Sequence, residues 1–273
     1  MPEQNLHNDN RLQGGGRVIL AGAGPGDPEL ITLKLLRRIA EADVIITDRL
    51  VNLSVINDHA RKEAEVILAG KQGYNDASLV QKEVTALIIE HALAGKTVLR
   101  LKGGDVAFFS NVLDELLALQ ENNIPFEIIP GITAASGASA YAGIPLTARG
   151  YAQGVQFIAF NPNNYFSTDQ WKAIATSTDT LVFYMAAKNI IELAEMMLQY
   201  SKRPATGLAV IEQATTVHQK VHITTLKKCA ADFADLSFSS PSLVIIGDVV
   251  KLHKEFNWFN AGENGSVFQE LGK

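Results

Sequence analysis

Short apolar segments alternate regularly with helical stretches, and this alternation constrains the fold more than any other feature of the chain. In the first half the apolar segments begin at Arg17, Asp43, Glu65, Thr97 and Phe126. Stretches with helical spacing run from Glu29 to Ala42, from about Ser78 to Leu93 and from about Val112 to Gln120. Near-continuous apolar strands separated by helices are typical of a parallel sheet that is covered on both faces. The first half is therefore predicted to be an α/β domain with a mainly parallel sheet.

A second set of strand-like segments follows in the other half of the chain. These segments begin at Val155, Thr180, Gly207, Gln219 and Ser242, the last of them running as SLVIIGDVV. Three of them follow one another late in the half, which indicates a mixed sheet rather than a purely parallel one. The predicted fold class is thus α/β with two α/β domains.

Small residues dominate the stretch between the two halves, from Gly131 to Ala152. Such a stretch suits a helix that packs closely on its neighbour, followed by a linker that carries Pro145. The first sixteen residues end in three glycines and are expected to form a flexible tail. We therefore divide the chain into a tail (1–16), a first domain (17–132), a linker region (133–150), a second domain (151–260) and a second tail (261–273).

Composition narrows the classes of function. The net charge of −5 argues against broad nucleic-acid binding, which requires a basic surface. No apolar segment is long enough to span a bilayer and the start of the chain is polar, so we expect a cytoplasmic protein. The single cysteine, Cys229, excludes an internal disulfide framework. His218 and His222 are placed to share one strand face, but with no carboxylate or third ligand nearby we expect no metal site.

Three segments rich in glycine or other small residues are candidates for ligand binding. AGAGPGD (21–27) follows the first strand, where glycines allow a tight turn and close approach of backbone to a ligand, although Pro25 interrupts any dinucleotide fingerprint. LKGGD (101–105) ends another strand, and ligands bind at the carboxyl ends of strands in open α/β sheets. There Asp105 would accept hydrogen bonds from hydroxyl or amine groups. PGITAASGASAYAGIPLT (130–147) suits a cofactor held between two domains better than it suits the alternative, a closely packed helix.

Taken in order, these motifs resemble a known family. The matching segments are GAGPGDPELITLK, ADVIITDRLV, RLKGGD, PGITAASGASAYAGIPLT, TLVFYM and PSLVIIGDVV. They are similar to the tetrapyrrole methylases, in particular to the branch that methylates uroporphyrinogen III, over about Arg17 to Phe259. The resemblance implies a homodimer whose subunits each hold S-adenosylmethionine in a cleft between the two domains. It also leads us to expect a stand-alone form, without the dehydrogenase–ferrochelatase domain that some siroheme synthases carry upstream.

The resemblance implies specific site residues. Asp48 and Lys71 match positions proposed in the family as proton acceptor and proton donor. Without the family match, Asp48 and Arg49 would be interpreted as a surface ion pair, and Met185 equally well as a core residue. The implied donor contacts are Pro25, Gly103, Gly104, Asp105, Phe108, Thr133, Ala134, Met185 and Ala214.

These roles agree with the chemistry of the reaction. A pyrrole carbon of a porphyrinogen is electron-rich and attacks the activated methyl of a sulfonium directly. The enzyme mainly aligns carbon, methyl and sulfur, and such positioning supplies roughly 7–11 kcal/mol of a barrier. A carboxylate and an ammonium then handle protons, each contributing about 10²–10⁴-fold.

The sequence departs from the family pattern on the acceptor side. Asn111 replaces an arginine, Ala148 replaces a histidine in the segment Thr147–Gly150, and Asn161 replaces another histidine. A fourth change falls after Lys71, where Gln72 and the residues after it replace an arginine and a histidine. Uroporphyrinogen III is a polycarboxylate, so each lost cation weakens binding by about 1.5–3 kcal/mol if it made a charge-assisted hydrogen bond. The remaining candidates for carboxylate contacts are Arg49, Lys71, Arg149 and Lys188.

Three functions are compatible with this pattern. The first is methylation of uroporphyrinogen III to precorrin-2 by two successive transfers. The second is methylation of another tetrapyrrole acceptor by an enzyme of the same fold. The third is a donor-binding homologue that has lost catalysis. Retained Asp48 and Lys71 favour an enzyme, whereas the neutral acceptor side favours the second or third function.

Overall fold

The computed structural model describes residues 15–69, 77–160, 166–200, 203–261 and 264–269, with the backbone alone for residues 77–80. Most of the predicted N-terminal tail, Lys71 and Asn161 lie outside the described residues. The first sheet has five strands in the order β3-β2-β4-β1-β5, and all of its pairs are parallel. Its strands are β1 (Arg17–Gly22), β2 (Val44–Thr47), β3 (Glu65–Leu68), β4 (Thr97–Lys102) and β5 (Phe126–Ile129). The predicted parallel sheet is confirmed.

Helices cover both faces of this sheet. They are α1 (Leu33–Glu41), α2 (Ser54–Asn57), α3 (Ala77–Leu93) and α4 (Val112–Glu121). Successive strand side chains point to opposite faces, so Ile19 packs in one apolar cluster with Leu35 of α1, while Leu20 packs in another with Ile88 of α3 and Leu119 of α4. Burial on both faces explains why the strands are almost wholly apolar.

The first helix starts later than its apolar spacing predicted. Pro28–Leu30 forms a short 3-10 helix, and α1 begins only at Leu33. Two side chains impose this interruption: Asp27 accepts a hydrogen bond from the backbone of Glu29, and Thr32 caps α1 by accepting one from the Leu35 N–H at 3.1 Å. The prediction of one helix from Glu29 was therefore wrong, because the two capping side chains start two separate helices.

The second sheet is mixed, as predicted. Its order is β6-β7-β10-β8-β9, with β6 and β7 parallel and the other pairs antiparallel. Its strands are β6 (Val155–Ala159), β7 (Thr180–Tyr184), β8 (Gly207–Glu212), β9 (Lys220–Thr225) and β10 (Ser242–Ile246). The helices of this half are α6 (Thr168–Thr176), α7 (Ile190–Tyr200), α8 (Cys229–Asp232) and α9 (His253–Phe256), and α5 (Ala134–Tyr141) lies between the two halves. The predicted strand SLVIIGDVV ends at Ile246, because Asp248–Leu252 forms a 3-10 helix directly after Gly247.

The small-residue segment between the halves contains a close-packed helix, α5 (Ala134–Tyr141). Ala135 and Ala138 pack in the cluster that lies on one face of the second sheet. On its other side α5 touches the first domain, where a Cβ added at Gly137 would lie 2.6 Å from Cγ of Pro25. Only a residue without a side chain allows this approach. Among the described residues, no helix is long and apolar enough to cross a membrane.

Candidate active site

A cleft of about 240 Å³ opens where the carboxyl ends of β1, β2 and β4 face the end of β7 and the loops beside β8 and β10. Every residue predicted to contact the donor lines this cleft, although the chain separates them widely. They are Pro25, Gly103, Gly104, Asp105, Phe108, Thr133, Ala134, Met185 and Ala214. The location agrees with the general position of ligand sites in open α/β sheets.

Backbone groups of two glycine turns form the floor of the cleft. The N–H of Gly24 donates to the carbonyl of Gly104 at 3.1 Å, and the N–H of Gly104 donates back at 2.8 Å. A Cβ added at Gly131 would lie only 2.3 Å from the same Gly104 carbonyl, so the crossing tolerates no side chain there. Gly104 itself has φ +69, and a Cβ built on it would find its nearest neighbour, the Ala134 nitrogen, at 3.6 Å. Gly104 thus leaves space free inside the cleft.

Asp105 shapes the loop that follows this floor. It is 6% exposed, and its Oδ1 accepts a hydrogen bond from the Ala107 N–H while Oδ2 accepts one from the Gly131 N–H, both at 2.7 Å. The structure thus shows a structural role for Asp105 that the sequence did not predict. The carboxylate joins the GGD turn to the segment that leads into α5.

The opposite wall is built at the end of β7. Met185 is 56% exposed and adopts φ +62, a conformation that is strained for a residue with a side chain. Tyr184 lies beside it, with its hydroxyl 2.7 Å from Thr133 Oγ1 and accepting a hydrogen bond from the Ala135 N–H at 3.2 Å. Burial raises the pKa of the Tyr184 phenol above its usual value. The sequence analysis missed Tyr184, although its place beside Met185 at a strand end was a usable signal.

Aromatic rings extend this wall towards the mouth of the cleft. Phe108 meets Phe157 edge to face at 5.5 Å between ring centroids, and Phe109 meets Tyr184 at 4.7 Å. Phe109 also has φ +53, a further strained position beside the cleft. Phe109 and Phe157 were not predicted as site residues.

Asp48 follows β2 and is half-buried beside the cleft floor. Its Oδ1 accepts a hydrogen bond from the Leu50 N–H at 2.9 Å, and its Oδ2 lies 3.4 Å from the Gly103 nitrogen. The alternative interpretation of Asp48 and Arg49 as a surface ion pair was wrong: in the described structure Arg49 donates to Ser240 Oγ of the second domain at 3.1 Å. The side chain of Arg49 therefore links the first domain to the second.

The candidate carboxylate contacts are only partly brought together. Arg49 and Lys188 line the cleft. Arg149 lies on an exposed turn between Ala148 and Ala152 and is not part of the cleft lining. Lys71 lies outside the described residues. Of the four predicted cations, the structure thus places two in the same cleft as the residues predicted to contact the methyl donor.

A buried charged cluster supports the loop that carries Phe108 and Phe109. Glu115 of α4 is fully buried and lies 3.2 Å from Arg100 Nε and 3.0 Å from Lys102 Nζ. Lys102 Nζ also donates to the carbonyl of Ser110 at 2.6 Å. Burial lowers the pKa of Lys102, although the charge of Glu115 opposes this effect. The sequence signal was two cations on one face of an apolar strand, which require a buried anion.

The expectation of no carboxylate near the paired histidines was wrong. His222 Nε2 lies 2.6 Å from Oε1 of the buried Glu212 on the neighbouring strand. His218 precedes β9 and does not share a strand face with His222. Among the described residues there is still no group of three side chains that could hold a metal ion.

Comparison with known proteins agrees with this geometry. The sequence model of the family "Tetrapyrrole (Corrin/Porphyrin) Methylases" matches residues 17–230. The siroheme synthase of Saccharophagus degradans is 41% identical over 244 residues, covering 89% of this chain and 53% of that protein. The siroheme synthase of Acinetobacter baylyi is 42% identical over 243 residues, with 89% and 53% covered. The chain therefore spans about half the length of the curated relatives it matches.

Solved structures show the same likeness. The uroporphyrin-III C-methyltransferase of Thermus thermophilus, solved with S-adenosylhomocysteine, is 33% identical with a TM-score of 0.72, covering 87% of this chain and 94% of that one. A cobalt precorrin-4 methyltransferase with a TM-score of 0.76 is 23% identical over 86% of this chain and 95% of that one, a level that supports the fold alone.

Proposed function

Because the chain belongs to the tetrapyrrole methylase family, we propose that it transfers methyl groups from S-adenosylmethionine to carbon atoms of uroporphyrinogen III, giving precorrin-2. The observation that carries this proposal is the convergence of all the predicted donor residues on one cleft. The relatives that are siroheme synthases and the relative solved with S-adenosylhomocysteine support the same donor and acceptor.

The cleft fits the donor that this function requires. Gly104 leaves open space at its floor and Gly103 packs directly on Leu50, while Phe108, Tyr184 and Met185 supply an apolar wall. Pocket walls that are mostly apolar with a few placed polar groups are typical of small-molecule sites. S-adenosylmethionine supplies the electrophilic methyl group. The residues of the cleft hold it in line with the attacking carbon, and such alignment is worth roughly 7–11 kcal/mol of a barrier.

We assign proton acceptance to Asp48. Carbon methylation leaves the ring system with a positive charge, which is removed when a proton is lost to a base. Asp48 stands at the carboxyl end of β2 beside the cleft floor, and two backbone N–H groups orient its carboxylate without using all of its acceptor sites. Lys71 remains the proposed proton donor. Arg49 and Lys188 would contact acceptor carboxylates at the cleft, with Arg149 contributing from outside it.

An anaerobic assay tests this function directly. The purified chain is mixed with uroporphyrinogen III and methyl-labelled S-adenosylmethionine, and the absorbance and label of the product are followed. We expect two labelled methyl groups per tetrapyrrole and the spectrum of precorrin-2. Donor binding without any label transfer to uroporphyrinogen III would contradict the acceptor assignment.

A second candidate, methylation of a different tetrapyrrole, is favoured by one observation. Within the described residues, Arg49 and Lys188 are the cationic side chains that line the cleft. Uroporphyrinogen III has more carboxylates than these two can neutralise. Restoring cations with Asn111→Arg and Ala148→His separates the candidates: a gain in activity towards uroporphyrinogen III indicates that the wild-type protein prefers a less anionic acceptor. Unchanged activity favours the first candidate.

We also propose that the protein works as a cytoplasmic homodimer. The family resemblance motivates the dimer, and exposed apolar side chains support it. Leu113 and Leu117 are 63% and 48% exposed on the outer face of α4, and Phe126 and Ile128 are each 46% exposed on the edge strand β5. Large apolar side chains left exposed on a folded subunit are candidates for an interaction surface.

A further inference from the structure

The chain returns to the cleft after the second sheet is complete. Residues Asn264–Gln269, which we call the C-terminal strap, lie beyond the part of the sequence that the family matches, 17–230. Within the strap, the Phe268 N–H donates to Ser266 Oγ at 3.0 Å, and the Ser266 hydroxyl donates to the Phe268 carbonyl at 3.2 Å. This tight turn presents the ring of Phe268 inward, where it is 5% exposed.

The strap contacts both domains. On the second domain, Gln213 Nε2 donates to the Gly265 carbonyl at 3.0 Å, and Lys220 Nζ donates to Asn264 Oδ1 at 3.2 Å. On the first domain, the Gln269 N–H donates to the carbonyl of Arg49 at 3.2 Å. That carbonyl belongs to the residue next to Asp48, so the strap holds the loop that carries the proposed base.

The ring of Phe268 lies where the loops of the cleft meet. A Cβ built at Gly26 would lie 3.0 Å from Cζ of Phe268, 2.7 Å from Cγ2 of Thr216 and 3.1 Å from the carbonyl of Ala214. Gly26 follows Pro25, and both Pro25 and Ala214 line the cleft. The ring therefore supports the back of two cleft walls that belong to different domains.

Hydrogen bonds join the same loops to each other, and these bonds are lost if the loops shift relative to each other. Asn52 Nδ2 donates to the Gly26 carbonyl at 2.9 Å, and the Asp27 N–H donates to Thr215 Oγ1 at 3.0 Å. Thr215 has φ +70 and Gln213 has φ +45, conformations that persist only when the surroundings hold them. A buried ring packed against this junction supplies such a support.

We propose that the strap positions the active site, with Phe268 as the positioning residue that holds the Arg49 loop and the Gly24–Asp27 turn against Ala214. The proposal rests on the proposed function, because the positioned groups are the base Asp48 and the donor wall at Pro25. Loss of the ring lets these loops move relative to each other, and a misplacement of about 1 Å costs roughly 10²-fold in rate. The effect is on turnover and donor affinity of the folded protein and not only on its stability.

The variant Phe268→Ala in the full-length chain tests this proposal. Ile88→Ala is the matched control, because Ile88 is 1% exposed, packs in the first domain and does not line the cleft. Hydrogen exchange of the ligand-free proteins is measured for the segments 48–52 and 213–216, at a temperature where circular dichroism shows both variants folded. Affinity for S-adenosylhomocysteine and kcat for methyl transfer are measured under the same conditions.

We expect Phe268→Ala to speed exchange in both segments and to weaken S-adenosylhomocysteine binding and kcat by about tenfold or more. Ile88→Ala should lower the melting temperature by a similar amount and leave exchange in these segments and affinity unchanged. A lower melting temperature in Phe268→Ala with unchanged exchange, affinity and kcat overturns the proposal. If the wild type does not bind S-adenosylhomocysteine, the proposed function fails, and the exchange measurement still decides whether the strap holds the loops. Phe268→Leu and Lys220→Met replace Phe268→Ala in all measurements if that variant does not fold.

Discussion

At the scale of single residues, the shape of the cleft depends on the glycines that leave space in it as well as on the side chains that line it. Gly104 adopts φ +69 and leaves open space towards Thr133 and Ala134. Gly95, in the turn after α3, has φ +83, and a Cβ added there would meet no atom within 4 Å. The two glycines thus share a left-handed conformation, but one faces the cleft and the other faces solvent. Substitutions at these two glycines can therefore distinguish the effect of backbone strain from the effect of blocking the cleft.

Gly104→Val is expected to abolish donor binding while the protein stays folded. A branched side chain occupies the cleft, and it also pays the cost of a left-handed backbone, roughly 1–2 kcal/mol. Gly95→Val carries the same kind of backbone cost without touching the cleft. Calorimetry with S-adenosylhomocysteine should therefore show binding for Gly95→Val and none for Gly104→Val. Equal affinity for S-adenosylhomocysteine in the two variants would show that the GGD turn is not part of the donor site.

Asp48→Asn is expected to slow methyl transfer by about 10²-fold or more, because the amide cannot accept the proton. The retained oxygen can still accept the hydrogen bond from the Leu50 N–H, so donor affinity and melting temperature should barely change. Asp58→Asn, at an exposed carboxylate after α2, is the control and should leave the rate unaltered. A loss of stability with full turnover per folded molecule would show that Asp48 is only structural.

At the scale of elements, the buried cluster of Arg100, Lys102 and Glu115 joins β4 and α4 beneath the loop of Phe108. Lys102→Met is expected to destabilise the protein by about 3–5 kcal/mol, because it leaves buried charge without one of its partners. It also releases the Ser110 carbonyl and should weaken donor binding through the displaced loop.

Urea denaturation and calorimetry measure the two effects of Lys102→Met. The control is Lys96→Met, which breaks the pair of Lys96 with Glu65, whose side chains are 38% and 51% exposed. An exposed pair of this kind contributes at most about 1 kcal/mol. Similar stabilities for the two variants would contradict a special role of the buried cluster.

The contact between α1 and β5 gives a pH-dependent contribution to stability. Desolvation raises the pKa of Glu127, but hydrogen bonds and charge from Arg38 and Lys34 outweigh it and hold the pKa below its usual value. A carboxylate with a lowered pKa stabilises the fold above its unfolded pKa, and this stability is lost as the pH falls through the folded pKa. Glu127→Gln should thus be less stable than wild type by up to about 1 kcal/mol at neutral pH. The difference should vanish in acid below the folded pKa, as measured by denaturation at several pH values, and a difference that persists there would contradict this origin.

At the scale of the whole molecule, two sheets of different topology meet at one cleft. Contacts from opposite domains close it: Arg49 with Ser240, Tyr184 with Thr133, and the C-terminal strap with both sides. The proposed base and the proposed donor wall are consequently held by the arrangement of the domains, which explains why remote substitutions are expected to affect turnover.

The proposed homodimer is tested at this scale by light scattering at micromolar concentration. Wild type should have the mass of two chains, and Leu117→Glu should shift it towards one, because a charge on an apolar interface is costly. Leu33→Glu is the control, since Leu33 is 74% exposed on the separate helix α1. A monomeric wild type would contradict the dimer, and a dimeric Leu117→Glu would place the interface elsewhere.

The sequence by itself determined most of the strands, the two kinds of sheet and the family, but not the start of α1 or the end of β10. These properties depend on local periodicity and on the order of motifs such as LKGGD along the chain, and both can be seen in the sequence alone. Through the family resemblance it also pointed to a set of residues that the structure brings to one cleft.

Only the tertiary structure decided which partners those residues have. The partners of Arg49, Lys102 and Asp105 come from other elements, and the partner of Arg49 is 191 positions away along the chain. The strap and Tyr184 enter the site for the same reason, and Arg149 stays outside it. Hydrogen bonds and packing between distant segments depend on how the two domains fit together, and no local pattern of residues encodes that geometry.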